Sequence, residues 1–151
     1  MEIKQIHNNK EEYMDLLLLA DEQENMIQKY LHRGEMYALY DEDLKTIAVV
    51  TNEDNNIYEI KSIATYEKYQ SKGYGKLMIK YIIEKYKNKC NTLIVGTGES
   101  NRIISFYSKC GFTYSHTIKD FFIKNYDHIM IEEGKQLRDM VYLKIDFKGH
   151  F

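Results

Sequence analysis

Gln70-Ser71-Lys72-Gly73-Tyr74-Gly75-Lys76 is the stretch from which the rest of the chain can be read. A run with strand character, Tyr58 to Ala64, leads into it, and a periodic apolar segment, Tyr74 to Tyr86, leads out. Within that segment Tyr74, Leu77, Met78, Tyr81, Ile82 and Tyr86 recur at helical spacing and make one face of a helix. The two glycines therefore occupy a strand-to-helix turn. The first N–H groups of a helix have no intrahelical partner, and the helix dipole adds partial positive charge there. Gly73 and Gly75 lack a Cβ, so a ligand can approach the backbone, and Lys72 and Lys76 flank the same spot. A phosphate or pyrophosphate suits such a turn. A tight packing turn explains the two glycines as well.

Named phosphate loops narrow the choice. A Walker-type loop needs glycine where Gln70 stands and Ser or Thr where Leu77 stands, and this chain has neither. A dinucleotide fingerprint needs a third glycine where Met78 stands. The pattern present is Gln/Arg-x-x-Gly-x-Gly/Ala between a strand and a helix. It resembles the coenzyme A pyrophosphate loop of the GNAT superfamily of acetyl-CoA-dependent N-acetyltransferases. By that resemblance Gln70, Ser71, Lys72, Gly73, Tyr74, Gly75 and Lys76 bind the cofactor's pyrophosphate.

Composition fits an ordinary globular protein and argues against other classes. The chain has 151 residues, 44% hydrophobic and 29% charged, enough for one domain over 1–151 with a real core. A net charge of −2 argues against a nucleic-acid-binding surface, and the absence of proline leaves turns to Gly, Asn, Asp and Ser. The lysine, isoleucine, asparagine and tyrosine bias fits an A/T-rich bacterial genome. The longest apolar run, Leu16 to Ala20, is far short of the roughly 20 residues that span a bilayer. Met1-Glu2-Ile3-Lys4 lacks a signal-peptide core, and Cys90 and Cys110 are isolated, so the chain reads as cytoplasmic.

The remaining elements follow in order. Glu2 to Ile6 alternates as a strand. Asn8 with Glu11 looks like a capping box for a helix carrying Tyr13, Leu16, Leu17 and Ala20. A second helix over Glu22 to His32 buries Met26, Ile27, Tyr30 and Leu31 and ends at Gly34 as a C-cap. Strands are expected at Glu35 to Tyr40, Leu44 to Thr51, Ile57 to Ala64, Thr92 to Val95, Thr113 to Ile123 and Gln136 to Phe147. A further helix presents Ile103, Ile104, Phe106 and Tyr107 and stops at Gly111. This predicts an α+β domain, and the resemblance implies a mixed, mostly antiparallel central sheet of about seven strands flanked by about four helices. In acetyltransferases of this type the first two helices wall the acceptor pocket.

Val95-Gly96-Thr97-Gly98-Glu99-Ser100-Asn101 is a second candidate dinucleotide loop, but Asn101 replaces its third glycine. Phe106-Tyr107-Ser108-Lys109-Cys110-Gly111-Phe112 follows and resembles the family's Tyr-x-Lys-x-Gly-Phe signature. The resemblance then makes Asn101 a pantetheine contact at a helix start, where an ordinary N-cap is its plainer role, and it carries Lys109 among the cofactor contacts. Tyr107 becomes the acid for the leaving thiolate, since a phenol near pKa ~10 can protonate a thiolate near ~8.5 without ionising at neutral pH. A core tyrosine is the alternative in a chain with 14 of them. Glu59, on the strand before the glycine loop, matches the position from which several relatives project a base. A solvated strand-face carboxylate paired with Lys61 explains it equally. Backbone N–H from Ile63, Ala64 or Thr65 would hold the oxyanion.

The five histidines show no metal-ligand spacing, and no metal is expected. Asp120, Asp127, Glu132, Glu133 and Asp139 lie near the last hairpin, which in this fold overhangs the acceptor, and would attract a cationic amine; a solvated loop is the alternative. The resemblance implies acetyl transfer from acetyl-CoA to a primary amine of a small molecule or peptide, with a homodimer compatible. The runner-up is a non-catalytic acyl-CoA-binding or sensing module.

Overall fold

The computed structural model describes residues 1–147. Residues 148–151, with His150 and the end of the expected domain, lie outside the described residues. Strand β1 (Glu2–Ile6) is followed by a 3₁₀ turn, Lys10–Tyr13, and two short helices, α1 (Met14–Leu17) and α2 (Glu24–Gln28). Three antiparallel strands come next, β2 (Glu35–Asp41), β3 (Asp43–Asn52) and β4 (Ile57–Thr65). Helix α3 (Tyr74–Tyr86), β5 (Thr92–Thr97), α4 (Asn101–Lys109) and β6 (Thr113–Ile118) follow. Then come α5 (Phe121–Asn125), a two-stranded ribbon of β7 (Ile131–Glu132) and β8 (Lys135–Gln136), and β9 (Met140–Asp146). The main sheet has seven strands in the order β1-β2-β3-β4-β5-β9-β6. Among the described residues only β4 and β5 run parallel, and α3 is the crossover that this direction requires.

Two cores flank the sheet. On one face α3 and α4 cover Leu39, Val50, Ile60 and Leu93 with Met78, Ile79, Ile82 and Tyr107. On the other, α1 and α2 bring Leu16, Leu17, Ile27 and Leu31 against Met36, Ala38, Ile47 and Val49. Fully burying a side chain of this kind stabilises by about 1.5–3 kcal/mol. Helix α3 has the expected bounds, but Leu77 is exposed and Ile79 takes the core position. One polar chain crosses the first core: Tyr37 and Tyr86 share a hydroxyl hydrogen bond of 2.7 Å, and Tyr86 also donates to Glu35.

Four expectations are corrected. The first helical region is a 3₁₀ turn and a single α turn, because Asn9 is left-handed (φ 58°) and no side chain caps it; Ala20 is exposed. The second is helical only over Glu24–Gln28, and Lys10 Nζ donates to the carbonyls of Leu31 and Gly34 beyond it. Gly34 is no left-handed cap: a Cβ there would meet Val49 Cγ1 at 2.5 Å, so close packing requires glycine. The strand expected to reach Ile123 stops at Ile118. Asp120 turns left-handed (φ 57°), its N–H donates to Asp139 Oδ1 at 2.8 Å, and α5 begins after it.

Candidate active site

The site lies where β4 and β5 part. Their parallel pairing covers only Ile57–Ile60 against Thr92–Val95, although β4 continues to Thr65 and β5 to Thr97. Parallel strands that diverge at their carboxyl ends leave unpaired backbone groups and a crevice for a ligand. Here the crevice has a volume of about 840 Å³ and runs from the glycine turn past Tyr107 to Asp21 and Tyr126. That is the size of a site for a large small molecule.

A bulge on β4 shapes the middle of this groove. Val50 faces Ile60 and Val49 faces Ser62, so Lys61 is an extra residue without a partner on β3. Strict alternation would put Glu59 and Lys61 on one face and Ser62 on the other. Across the bulge Ser62 instead lies on the face of Glu59 and Ala64, whereas Ile60 and Ile63 pack with the α3 side. Lys61, Ser62, Ile63 and Thr65 line the groove, and Ala64 packs in the α1–α2 core. Glu59 is buried, outside the lining, with its carboxylate 3.3 Å from Lys61 Nζ. Burial raises its pKa above the ordinary carboxylate value, and Lys61 offsets part of that rise.

At the other end the glycine turn is built as a cradle. Gly73 (φ 89°) precedes α3, whose N-terminus has no side-chain cap, and the first intrahelical bond is Leu77 N–H to Gly73 O at 3.0 Å. The N–H groups of the preceding turn are thus left for a ligand. A Cβ on Gly73 would meet nothing within 4 Å, so that side is open. Gln70 Nε2 donates to the Thr65 carbonyl at 3.1 Å and braces the turn. Tyr69 and Tyr74 donate to Asp43 and Asp41 on the β2–β3 turn, which pins it further. Gln70, Ser71, Gly73, Tyr74, Gly75 and Lys76 line the groove; Lys72 is exposed and does not.

Helix α4 forms the facing wall. Its N-cap is Ser100, whose Oγ accepts from Ile103 N–H at 3.3 Å; Asn101 is exposed, one position later, and neither it nor Lys109 lines the groove. Gly111 (φ 105°) ends the helix as expected. Tyr107 lines the groove from among Phe106 and Phe112, and burial pushes its pKa up, so its phenol stays protonated at neutral pH. Gly96 and Gly98 have a packing reason: a Cβ would meet Met140 Sδ at 2.9 Å and Leu137 Cδ2 at 2.5 Å respectively.

Several lining residues had no sequence signal. Asp21 and Glu22 come from the α1–α2 connection, Phe122 and Tyr126 from α5 and its end, and Met130, Leu137 and Met140 from around the ribbon. Their approach is set by contacts over 100 residues apart: Tyr126 Oη donates to Asp21 Oδ1 at 2.8 Å, and Asp127 N–H donates to Gln23 Oε1 at 3.0 Å. The acidity of the ribbon turns inward, since Arg102 pairs with Glu133 at 3.0 Å and Glu132 at 3.6 Å.

A mixed sheet with one splayed parallel pair, an uncapped helix start in the splay and a groove tyrosine defines an acyltransferase class. Residues 3–112 match the Acetyltransferase (GNAT) family, and the chain belongs to it. It is 40% identical, over 90% of each chain, to the uncharacterised N-acetyltransferase YvbK of Bacillus subtilis (strain 168). A Bacillus subtilis acetyltransferase solved in complex with CoA superposes with a TM-score of 0.89 at 38% identity, covering 96% of this chain and 97% of that one. A GNAT family acetyltransferase from Elizabethkingia anophelis with acetyl-CoA bound gives 0.87 at 35% identity, covering 95% and 97%. The protein is an acyltransferase of this family.

Proposed function

We propose that the protein transfers the acetyl group of acetyl-CoA to a primary amine of a small molecule or peptide, by direct attack. The observation that carries this is the single groove joining the uncapped α3 start to Tyr107 through the gap between β4 and β5. The pyrophosphate suits the N–H groups of the glycine turn with Lys76 beside them. The relatives solved with CoA and acetyl-CoA support the same ligand. Neither Cys90 nor Cys110 lines the groove, which favours transfer without an acyl-enzyme, and two unpaired thiols fit a reducing cytoplasm.

In the reaction the neutral amine nitrogen attacks the thioester carbonyl carbon, and its oxygen takes up the negative charge. Beyond Ile60, β4 has no β5 partner. The Tyr66 N–H bonds Lys45 on β3, so by alternation the Ala64 N–H also faces β3, and those of Ile63 and Thr65 turn toward the gap, where they can hold that oxyanion. Collapse of the intermediate breaks the C–S bond, and the Tyr107 hydroxyl gives its proton to the departing thiolate. The proton lost by the amine goes toward Glu59, which its raised pKa makes a better base than an exposed carboxylate; water beside Lys61 would bridge the distance. A homodimer is compatible with the exposed edge strand β6, where Tyr114 and Ile118 face outward.

Amine-dependent release of free coenzyme A from acetyl-CoA, measured across diamines, aminoglycosides, amino acids and peptides, tests the proposal. Stabilisation by acetyl-CoA with no amine-dependent release would make the protein a binding module instead.

A further inference from the structure

The acceptor end of the groove holds a carboxylate without a counter-charge. Asp21 is half-buried and lines the groove, and burial raises its pKa despite the bond from Tyr126. Among the described residues no Lys, Arg or His lies within ion-pair distance of it. Glu22 lines the same wall, whereas Glu132, also at the groove, is paired with Arg102. A desolvated carboxylate whose donors are all neutral is costly, and a cation supplied by a ligand removes that cost.

A second observation marks the same corner. Ser62 Oγ and Tyr30 Oη are buried and complete no hydrogen bond, although Tyr30 neighbours both Ser62 and Asp21. Ser62 is 5% exposed and lines the groove at the β4 bulge. Buried hydroxyls are seldom left unpaired, and two together next to a lone carboxylate describe a polar seat.

Resting on the acetyl-transfer reading above, we infer that Asp21, with Tyr126 behind it and Ser62 beside it, binds a second positive charge of the acceptor, so that the preferred substrates are aliphatic amines with two cationic ends. The charge held by Asp21 is not the reacting nitrogen. A carboxylate against that nitrogen would raise its pKa and keep it protonated, and an ammonium cannot attack. The apolar Phe122, Met130 and Leu137 side chains that line the same groove suit a methylene spacer.

The test compares kcat/KM for α,ω-diaminoalkanes of three to eight carbons with that for n-alkylamines of the same lengths. The wild type should prefer the diamine by roughly tenfold or more at its best length, as a charge-assisted contact provides. Asp21→Asn should collapse that ratio toward one, and Asp127→Asn, at an exposed carboxylate paired with His128, should keep it. An unchanged ratio in Asp21→Asn overturns the inference whether or not absolute rates fall. A thermal shift with the best diamine and CoA reads the seat without turnover. Stabilisation that Asp21→Asn abolishes supports the inference even if no amine is acetylated, an outcome that would count against the transfer reading alone. Equal stabilisation of both proteins overturns it.

Discussion

Glu59 and Lys61 form an ion pair of 3.3 Å across the bulge of β4, and yet the carboxylate's pKa is raised. Burial outweighs the attraction of the lysine. The folded protein therefore binds a proton at Glu59 more tightly than the unfolded chain does. This group's contribution is neutral below the ordinary carboxylate pKa of 4.5, and it becomes destabilising as pH rises through the raised value. Glu59→Gln should match the wild type in Tm at low pH and equal or exceed it at pH 7. A variant that loses Tm at pH 7 would show that the pair stabilises the fold. If Glu59 is also the base, the variant's kcat/KM loses its acidic limb, which in the wild type lies above the usual carboxylate range.

Tyr107→Phe removes a hydroxyl that makes no hydrogen bond among the described residues, so stability should change little. Loss of acid catalysis should lower kcat by 10²–10⁴-fold, with acetyl-CoA affinity retained. Tyr81→Phe, on α3 and edge-on to Tyr37, is the control. An equal fall in both variants would assign Tyr107 to packing.

Gly75 offers a cleaner test of the cradle than Gly73, whose φ of 89° penalises any side chain. A Cβ at Gly75 would sit 3.7 Å from Phe106 Cζ, an ordinary contact. Gly75→Val should therefore fold, while its branches intrude on the groove and weaken acetyl-CoA binding by about tenfold or more, the scale of a lost bond to a charged group. Calorimetric titration would show this, and unchanged affinity in a folded variant would remove the loop from the site.

Tyr86→Phe deletes the hydroxyl that bonds both Tyr37 and Glu35 inside the first core. Leaving Tyr37 Oη buried without its partner should cost about 1–3 kcal/mol, seen in urea unfolding with an unchanged m-value. No stability change would mean that water replaces the lost bond.

Much of this architecture is local and was legible in the residues. Whereas the sheet of about seven strands came from the family resemblance, the bounds of α3, the strand before the glycine turn and the stop at Gly111 rest on periodicity and on backbone freedom, which neighbours in sequence determine. So does the glycine turn itself, because a helix start leaves N–H groups free whatever packs around it. Other features depend on partners far away in sequence. The β4 bulge that separates Lys61 from the alternation of Glu59 and Ser62 arises only in register with β3. Asp120 ends β6 because Asp139 receives its N–H, and this start of α5 lies within a run that reads as strand. Arg102 pairs with both ribbon acids, Glu132 and Glu133, and Tyr126 joins Asp21 across 105 residues to close that end of the groove. Periodicity reports which face of an element is apolar, but the meeting of two elements is decided by packing, and it is there that the Asp21 end of this groove was made.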